Sequence, residues 1–326
     1  MRLLLLLFCS LPTCFGQTIL TESTRLDSLH RASDLGYSSG DDNYSQVFGG
    51  DNSIRSISQA DRFGADVSLV GSSLLIGAPG HSSALLFQRS IASGLWIFDE
   101  ILHTRGTGVN FGASVSIGPD YFLVGQPDYR LANNLIHGSA FFGDRDDITR
   151  ELFYRTRQDG RTSWTAGHPN LGFPADGNML GKLDDDPRFG QAVDHDGSTA
   201  VVGSFFQTNS TGDRTGAAYI FDISNTTIGR VGDSVDAEDD AIALVPTEPA
   251  QEGSFYGSDV AIDGDLAVVG WQGFDSQSNT SIGRAVVFQK NQAGAWNPIQ
   301  SLSGSGTSNS RFGEAVDILG TTVAVG

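Results

Sequence analysis

A sixteen-residue pattern recurs five times along this chain of 326 residues. Each copy opens on an aromatic residue followed by glycine, continues as an alternating segment, turns, and ends in an apolar run closed by glycine. The closing glycine follows the aromatic residue by fourteen positions in every copy. Such a fixed internal spacing is the signature of a repeat architecture and constrains the fold more than any single motif. With the residue that precedes the aromatic one included, the copies occupy residues 62–77, 110–125, 188–203, 255–270 and 311–326.

The pattern predicts two strands per copy, and the sequence beyond the closing glycine predicts two more. Residues 84–102 and 285–302 are nearly superposable and both contain an apolar strand, a glycine-containing turn, a tryptophan and a last strand. The third strand ends at Phe87, Phe142, Phe221 or Phe288, and the fourth carries Trp96, Trp164 or Trp296. Short turns make this an antiparallel four-stranded meander, which is a propeller blade. The fold class is therefore all-β.

Two packing predictions follow from the residue types in each copy. The second strand is a continuous apolar run, as in Ala200-Val201-Val202, so it needs cover on both faces and is predicted to be the inner strand of the blade. The aromatic residue that opens each copy is predicted to pack between neighbouring blades. The glycine beside it is predicted to permit close backbone approach.

The copies resemble the FG-GAP repeat, the blade of the integrin α-subunit head. Residues 77–79 give the full Gly-Ala-Pro half of that motif; residues 125–127 keep its glycine and proline, and residues 203–205 and 270–272 keep only its glycine. The resemblance covers roughly residues 60 to 326 and implies a β-propeller, usually of seven blades, that serves in adhesion or ligand binding. Because Gly326 stands where the fifth Gly-Ala-Pro would begin, we expect a C-terminally truncated chain and an incomplete ring.

The chain begins with an expected secretory signal over residues 1–16, in which Arg2 precedes a short apolar run. Residues 17–46 are predicted to be a linker, and residues 47–326 to be the propeller; residues 47–57 fit the fourth strand of its last blade. Both cysteines, Cys9 and Cys14, lie in the signal, so the mature chain has no disulfide or thiolate. We expect a secreted protein, or one anchored at the cell surface through a missing C-terminal segment.

Charge and sequons narrow the classes of partner. The formal net charge of −18 disfavours nucleic acid and anionic membrane surfaces, whose binding proteins carry basic patches. No segment after the signal is long and apolar enough for membrane insertion. A protein or a glycan is the expected ligand. Four Asn-X-Ser/Thr sequons are candidate glycosylation sites: Asn43, Asn209, Asn225 and Asn279.

Aspartates at three places could bind calcium, but each place can also be interpreted as an ordinary loop or turn. Residues 184–186 are three adjacent aspartates that fit either a hard cation or a solvated loop. Residues 194–196 and 263–265 lie where the resemblance places the family's calcium loop, but the turn is too short for that loop. Aspartate and glycine are also preferred turn residues in their own right, and His195 is read as a turn residue. We therefore expect no metal site of the family type and no cofactor.

The sequence favours a binding module over an enzyme. It contains neither a Gly-x-Ser-x-Gly elbow nor a His-Glu-x-x-His helix, and we expect no catalytic residue. His81, His103 and His137 leave open a metal site on one rim. The alternatives to a binding module are an accessory propeller of a secreted hydrolase and a structural wall or matrix protein.

The sequence also predicts the face on which a ligand binds. In a meander, the loops between the second and third strands emerge on the same face as the connections between blades. These two classes contain the longest segments: residues 126–138, 181–188, 204–216, 245–254 and 271–283. Long loops on a rigid scaffold carry function. Trp271 and Phe205 are the predicted aromatic anchors for the ligand on this face.

Overall fold

The protein was analysed as a computed structural model. The residues that it describes are 62–103, 110–128, 138–144, 170–171, 188–209, 211–223, 241–275, 280–304 and 308–326. Within these ranges the protein is all-β, apart from one 3₁₀ turn at Pro79–His81. The predicted signal, the linker, residues 47–57 and Trp164 lie outside the described residues, so those predictions stay untested.

Within the described residues, four complete meanders and the first two strands of a fifth follow one another. The first blade contains β1 (Val67–Val70), β2 (Ser73–Ala78), β3 (Ser83–Arg89) and β4 (Trp96–His103). The second contains β5 (Val115–Ile117), β6 (Tyr121–Gln126), β7 (Ser139–Asp144) and β8 (Asn170–Leu171). The third contains β9 (Phe189–His195), β10 (Thr199–Ser204), β11 (Ala217–Asp222) and β12 (Ile242–Ala243). The fourth contains β13 (Tyr256–Asp263), β14 (Leu266–Trp271), β15 (Arg284–Lys290) and β16 (Trp296–Leu302), and the fifth contains β17 (Val316–Leu319) and β18 (Thr322–Val325).

All these strands pair antiparallel in sequence order, so each sheet is an uninterrupted meander. The register in the fourth blade illustrates the pattern, because Asp263 faces Leu266 across the first turn and Leu266 faces Gln289 on the third strand. Successive sheets touch through single parallel bridges, such as that between Gly216 and Tyr256. This arrangement of four-stranded antiparallel blades is a β-propeller, as the repeat spacing predicts.

The inner strand is the first strand of each blade and not the second, which corrects the prediction from the apolar run. The first strands β1, β5, β9, β13 and β17 lie against one another from blade to blade, so the blades converge on them. The second strand is buried on both faces for a different reason. It lies in the middle of its sheet, and neighbouring blades cover the sheet from either side.

The hydrophobic core lies between blades, where the aromatic residue of each repeat was predicted to pack. Phe111 is fully buried among residues of the first and second blades, and its ring lies 5.5 Å from that of Phe141. Phe189 is fully buried between the second and third blades, and Tyr256 between the third and fourth. The prediction is confirmed at these three junctions.

The first blade has no preceding blade among the described residues, and the apolar residues of its first strand are exposed. Val67 and Leu69 are 50% and 56% exposed, whereas Val115 and Ile117, their equivalents in the second blade, are 4% and 6% exposed. The preceding blade therefore covers these apolar residues of the first strand. The total number of blades stays a prediction.

Candidate functional site

At the junction of the third and fourth blades, the described parts of the loop after β10 and of the connection to β13 lie together on a surface that is here called the long-loop face. Residues 204–216 join β10 to β11, and residues 244–255 lead from the third blade to the fourth. The two segments are joined because the amides of Gly253 and Tyr256 donate to the carbonyls of Arg214 and Thr215, over 2.7 and 3.0 Å. The described parts of these loops therefore lie together, as the meander argument predicts.

Three phenylalanines form an aromatic patch on the long-loop face. Phe205 and Phe206 follow β10, and Phe255 precedes β13. Their ring centroids lie 4.2 Å apart for Phe205 and Phe206, 6.0 Å for Phe205 and Phe255, and 5.6 Å for Phe206 and Phe255. All three side chains are only half-buried, and the guanidinium of the exposed Arg214 lies 5.5 Å from the Phe206 ring. This patch is the candidate binding site.

The equivalent place at the preceding junction holds an ion pair. Asp128 and Arg188 occupy the repeat positions of Phe206 and Phe255, and their charged groups lie 2.6 Å apart. Asn110 also donates a hydrogen bond to Asp128. A polar pair thus suffices to link two blades at this position. The aromatic pair leaves apolar surface open to solvent at a place where the fold does not require it.

Phe255 adopts a left-handed backbone conformation with φ of 55°. The residues in the same repeat position share it: Arg62, Asn110, Arg188 and Arg311 have φ between 52° and 67°. Bulky side chains seldom adopt this region. The repeat geometry thus imposes the strain, and a phenylalanine at this position is unusual among the five copies.

The two anchors predicted from the sequence have different environments. Phe205 lies in the aromatic patch, and its role as an anchor stays a prediction. Trp271 is fully buried, and its ring packs against Tyr256 and Phe274 with centroids 5.2 and 4.8 Å away. The prediction of Trp271 as a surface anchor is therefore wrong, because the aromatic residue of the same blade and its own loop enclose the indole.

The sequence-based prediction missed Phe206 and Phe255. The signal for Phe255 was present, because the other four copies have arginine or asparagine at that position. Phe206 adjoins Phe205, but only the register of the loop brings it against Phe255.

The acidic turns serve the backbone in the described structure. The Oδ1 atom of Asp196 accepts hydrogen bonds from the amides of Ser198 and Thr199, both over 2.8 Å. The Nδ1 atom of His195 accepts from the amide of Gly197 over 3.1 Å. Burial lowers the pKa of His195 to about 4, so the imidazole is neutral at physiological pH. Asp196 has the expected turn role, whereas His195 is the buried last residue of strand β9.

Carboxylates on the inner strands bridge one blade to the next. Asp66 accepts a hydrogen bond from the amide of Val115, and Asp259 accepts one from the amide of Val316, both over 2.7 Å. Asp194 accepts likewise from the amide of Ile262 over 2.8 Å. An inner strand is the edge of its sheet, so these amides have no partner strand, and the carboxylates satisfy them.

Burial raises the pKa of all three of these aspartates above the usual value of 3.8, to about 6 for Asp194 and about 7 for Asp259. Hydrogen bonds from backbone amides oppose the rise. For Asp259, the negative charges of Asp66 and Asp194 add to it. Burying a carboxylate disfavours its charged form, and nearby carboxylates do the same.

We expect Asp259→Asn to change the pH dependence of stability. Between about pH 4 and 7 the folded protein holds a proton on Asp259 that the unfolded chain has lost, so the free energy of unfolding falls as pH rises. Asparagine removes that dependence and retains one oxygen for Val316. From pH 5 to pH 8 the free energy of unfolding of the variant, relative to that of the wild type, should rise by about 2–3 kcal/mol. This value allows for partial solvent access to the carboxylate. Urea unfolding at several pH values measures this. A constant difference between the two proteins across the range would contradict the prediction.

The described ranges contain neither a cluster of metal-ligating side chains nor a helix that could span a membrane. In these ranges no three His, Cys, Asp or Glu side chains converge as a group that could hold a metal ion. Residues 184–186 lie outside the described residues, so calcium at that place stays an open alternative. No helix in the described part of the chain is long and apolar enough to cross a membrane. Of the four sequons, only Asn209 is described.

Comparison with known proteins agrees with the geometry. The sheets define the chain as a β-propeller of four-stranded antiparallel blades. Residues 184–221, which contain the third copy of the pattern, match the FG-GAP repeat model. The third copy is thus similar to the FG-GAP repeat, and the other four copies share its internal spacing.

Two solved structures are similar to the chain at a low level. The RRP9 WD40 repeats are 9% identical with a TM-score of 0.37, and the match covers 77% of this chain and 56% of that chain. The U3-55K structure is 11% identical with a TM-score of 0.35, covering 77% of this chain and 69% of that chain. Likeness this weak carries no argument about function. No curated protein matches the chain.

Proposed function

We propose that this propeller is a secreted or cell-surface binding module that docks a protein or glycan ligand on its long-loop face. The aromatic patch of Phe205, Phe206 and Phe255 carries the proposal. It places three half-buried rings at a junction whose neighbour uses an ion pair. Aromatic side chains dominate the energetics of interfaces because they bury a large area with few rotatable bonds.

The energetic cost of the patch supports the same proposal. The half-buried rings leave apolar surface in contact with water, and Phe255 is held in a left-handed conformation. Strained or exposed apolar residues persist where the surrounding fold holds them, and they cluster at binding sites. A ligand that covers the rings would recover the missing burial.

The proposal predicts that Phe206→Ala weakens ligand binding at least 10-fold, which is about 1.4 kcal/mol or more at a central aromatic contact. The exported protein is immobilised and titrated with extracellular proteins and with a glycan array from its source. Ile91→Ala is the matched control, because Ile91 is fully exposed in the turn between β3 and β4 on the opposite face. Thermal unfolding confirms that both variants fold.

The outcomes separate the alternatives. Saturable binding that Phe206→Ala abolishes and Ile91→Ala leaves intact supports the site. Equal affinities for all three proteins place the site elsewhere. The lack of any saturable ligand would reject the binding module in favour of a structural wall or matrix protein.

A further inference from the structure

Side chains on the inner strands accept hydrogen bonds from backbone amides of the next blade, and each such hydrogen bond is here called a clasp. The residue five positions after the aromatic one forms a clasp at three successive junctions. These clasps join Ser68 to the amide of Ile117 over 3.0 Å, Ser116 to that of His195 over 3.3 Å, and Asp194 to that of Ile262 over 2.8 Å. The repeat thus places one side-chain acceptor against one amide at each of these junctions.

The serine clasps show that a neutral hydroxyl is sufficient at this position. Ser68 and Ser116 satisfy the amide of the next strand without a charge, whereas Asp194 brings an ionisable group into a buried place. A buried charge costs free energy that a hydroxyl in the same place does not cost. The carboxyl group of Asp194 therefore adds a dependence on pH that the clasp itself does not require.

The junction between the third and fourth blades has one clasp, and Asp194 forms it. Clasps come in pairs at two other junctions, where they are formed by Asp66 with Ser68 in the first blade and by Asp259 with Asp263 in the fourth. Between β9 and β13 the described residues contain only the clasp of Asp194, because Ala192 stands at the repeat position of the first aspartate of each pair. The aromatic patch lies across this same junction, so its two sides are held together at the axis by a single ionisable group.

The charged groups around Asp194 are carboxylates. Asp259 of β13 and Asp317 of β17 act on it through their negative charges. The other strands that pack against β9 are β5 and β10, which contain no titratable residue, and β6 and β7, which contain Tyr121 and Asp144. Burial keeps the adjacent His195 neutral by lowering its pKa to about 4. Within the described ranges no arginine or lysine forms an ion pair with Asp194, so no cation offsets its charge.

We propose that Asp194 is a pH-sensitive clasp, which holds the junction between the third and fourth blades closed while its carboxyl group is protonated and lets it open more often once the group is ionised. In the neutral form the carboxyl still accepts from Ile262, and the hydroxyl of Ser116 can accept the added proton in place of donating. In the charged form it is buried beside other carboxylates, and opening returns it to water. Opening also parts Phe206 of the third blade from Phe255 of the fourth.

The direction of the pH dependence follows from the burial of the carboxyl group. Burial raises the pKa of Asp194 from 3.8 to about 6, so between about pH 4 and 6 the closed junction holds a proton that the open junction has lost. The open fraction therefore rises with pH through this window and levels off above it. From pH 5 to pH 8 these two pKa values give a rise of about 10-fold.

Hydrogen exchange of the full chain from pH 5 to pH 8 measures the opening at the Ile262 amide, after correction for the intrinsic exchange rate at each pH. Protection of this amide is expected to fall about 10-fold over the range. Val201 pairs with both neighbouring strands in the middle of the third blade, so its amide reports the unfolding of the whole blade. Its protection is expected to exceed that of Ile262 at every pH. Equal protection of the two amides would overturn a local opening of the junction.

Asp194→Ser gives the third copy the residue that the first two copies have at this position. The serine keeps an acceptor for the Ile262 amide and removes the charge, so protection should change less than about 2-fold over the same range. Asp194→Asn, which keeps the size of the side chain, should do the same and replaces the serine variant if that variant does not fold. Asp259→Asn is the matched control, because it removes another carboxylate of the inner strands and should leave most of the fall at Ile262. A fall that persists in the Asp194 variants, or one that Asp259→Asn abolishes, would overturn the assignment to Asp194.

The exchange measurements need no ligand, so this inference and the proposed function can fail separately. A junction that opens with pH in a protein without any saturable ligand would reject the binding module and support the clasp. Ligand binding that Phe206→Ala abolishes, in a protein whose Ile262 protection does not change with pH, would reject the clasp and leave the binding module intact.

Discussion

Gly190→Ala is expected to destabilise the propeller by more than about 4 kcal/mol, which is exceptional for a single methyl group. A Cβ atom at this position would lie 2.2 Å from the carbonyl oxygen of Ser139, on the preceding blade, and Gly190 has φ of 85°. The backbone atoms it would meet belong to a paired strand and cannot move aside cheaply. Urea unfolding of the variant beside the wild type measures the loss.

Gly264→Ala is the matched control, because Gly264 also has a positive φ, of 58°, but no atom lies within 4 Å of the Cβ that it would gain. The only remaining cost at this position is that of holding an alanine in the left-handed backbone conformation, which is about 1–2 kcal/mol. Similar losses for the two variants would show that backbone conformation, and not contact between blades, explains the glycine of each repeat. The same clash would recur at Gly112, Gly257 and Gly313, where an added Cβ atom would lie 2.1 Å from a carbonyl oxygen on the preceding blade.

Phe189→Ala is expected to cost about 3–5 kcal/mol, the range for truncating a buried phenylalanine. The ring is fully buried, and it lies 6.2 and 6.1 Å from the rings of Tyr219 and Phe221. It also belongs to the cluster that contains Leu123 and Phe142 of the preceding blade. The cavity would therefore weaken the contact between two blades as well as the third blade itself.

Chemical denaturation of Phe189→Ala beside Ile91→Ala separates burial from a general effect of removing apolar atoms. Ile91 is fully exposed, so its replacement should change the free energy of unfolding by no more than about 0.5 kcal/mol. A loss below about 1 kcal/mol in Phe189→Ala would mean that the ring does not link the blades. The predicted role of the aromatic residue in every repeat would then be wrong.

Gly190 and Phe189 have equivalents in every repeat, whereas the aromatic residues of the candidate site do not. Glycine and the buried aromatic residue recur because every junction needs them. Phe206 and Phe255 replace an ion pair at one junction, so their effect on stability is expected to be small beside their effect on binding. Stability and binding measurements on the same variants thus probe different sets of residues.

Local patterns were enough to predict the strands, their antiparallel order and the fold. Alternation, turn residues and apolar runs act over a few residues, and four strands joined by short turns have only one simple arrangement. The spacing also located Phe111, Phe189 and Tyr256 at the junctions, since a residue that recurs in every copy must serve a contact that every copy makes.

Only the tertiary structure decided which strand is innermost, which loop residues are buried and which side chains meet across blades. The apolar run of β10 is buried on both faces, but the alternating strand β9 is the inner one, because the direction in which blades converge is not encoded within one blade. Trp271 and Phe205 occupy adjacent positions in the repeat, one place apart after the closing glycine. Trp271 ends β14 and is enclosed by Tyr256 and Phe274, whereas Phe205 follows β10 and is only half-buried, and the repeat position does not distinguish the two environments. The contact between Phe206 and Phe255 joins residues more than forty positions apart, and no local pattern contains it.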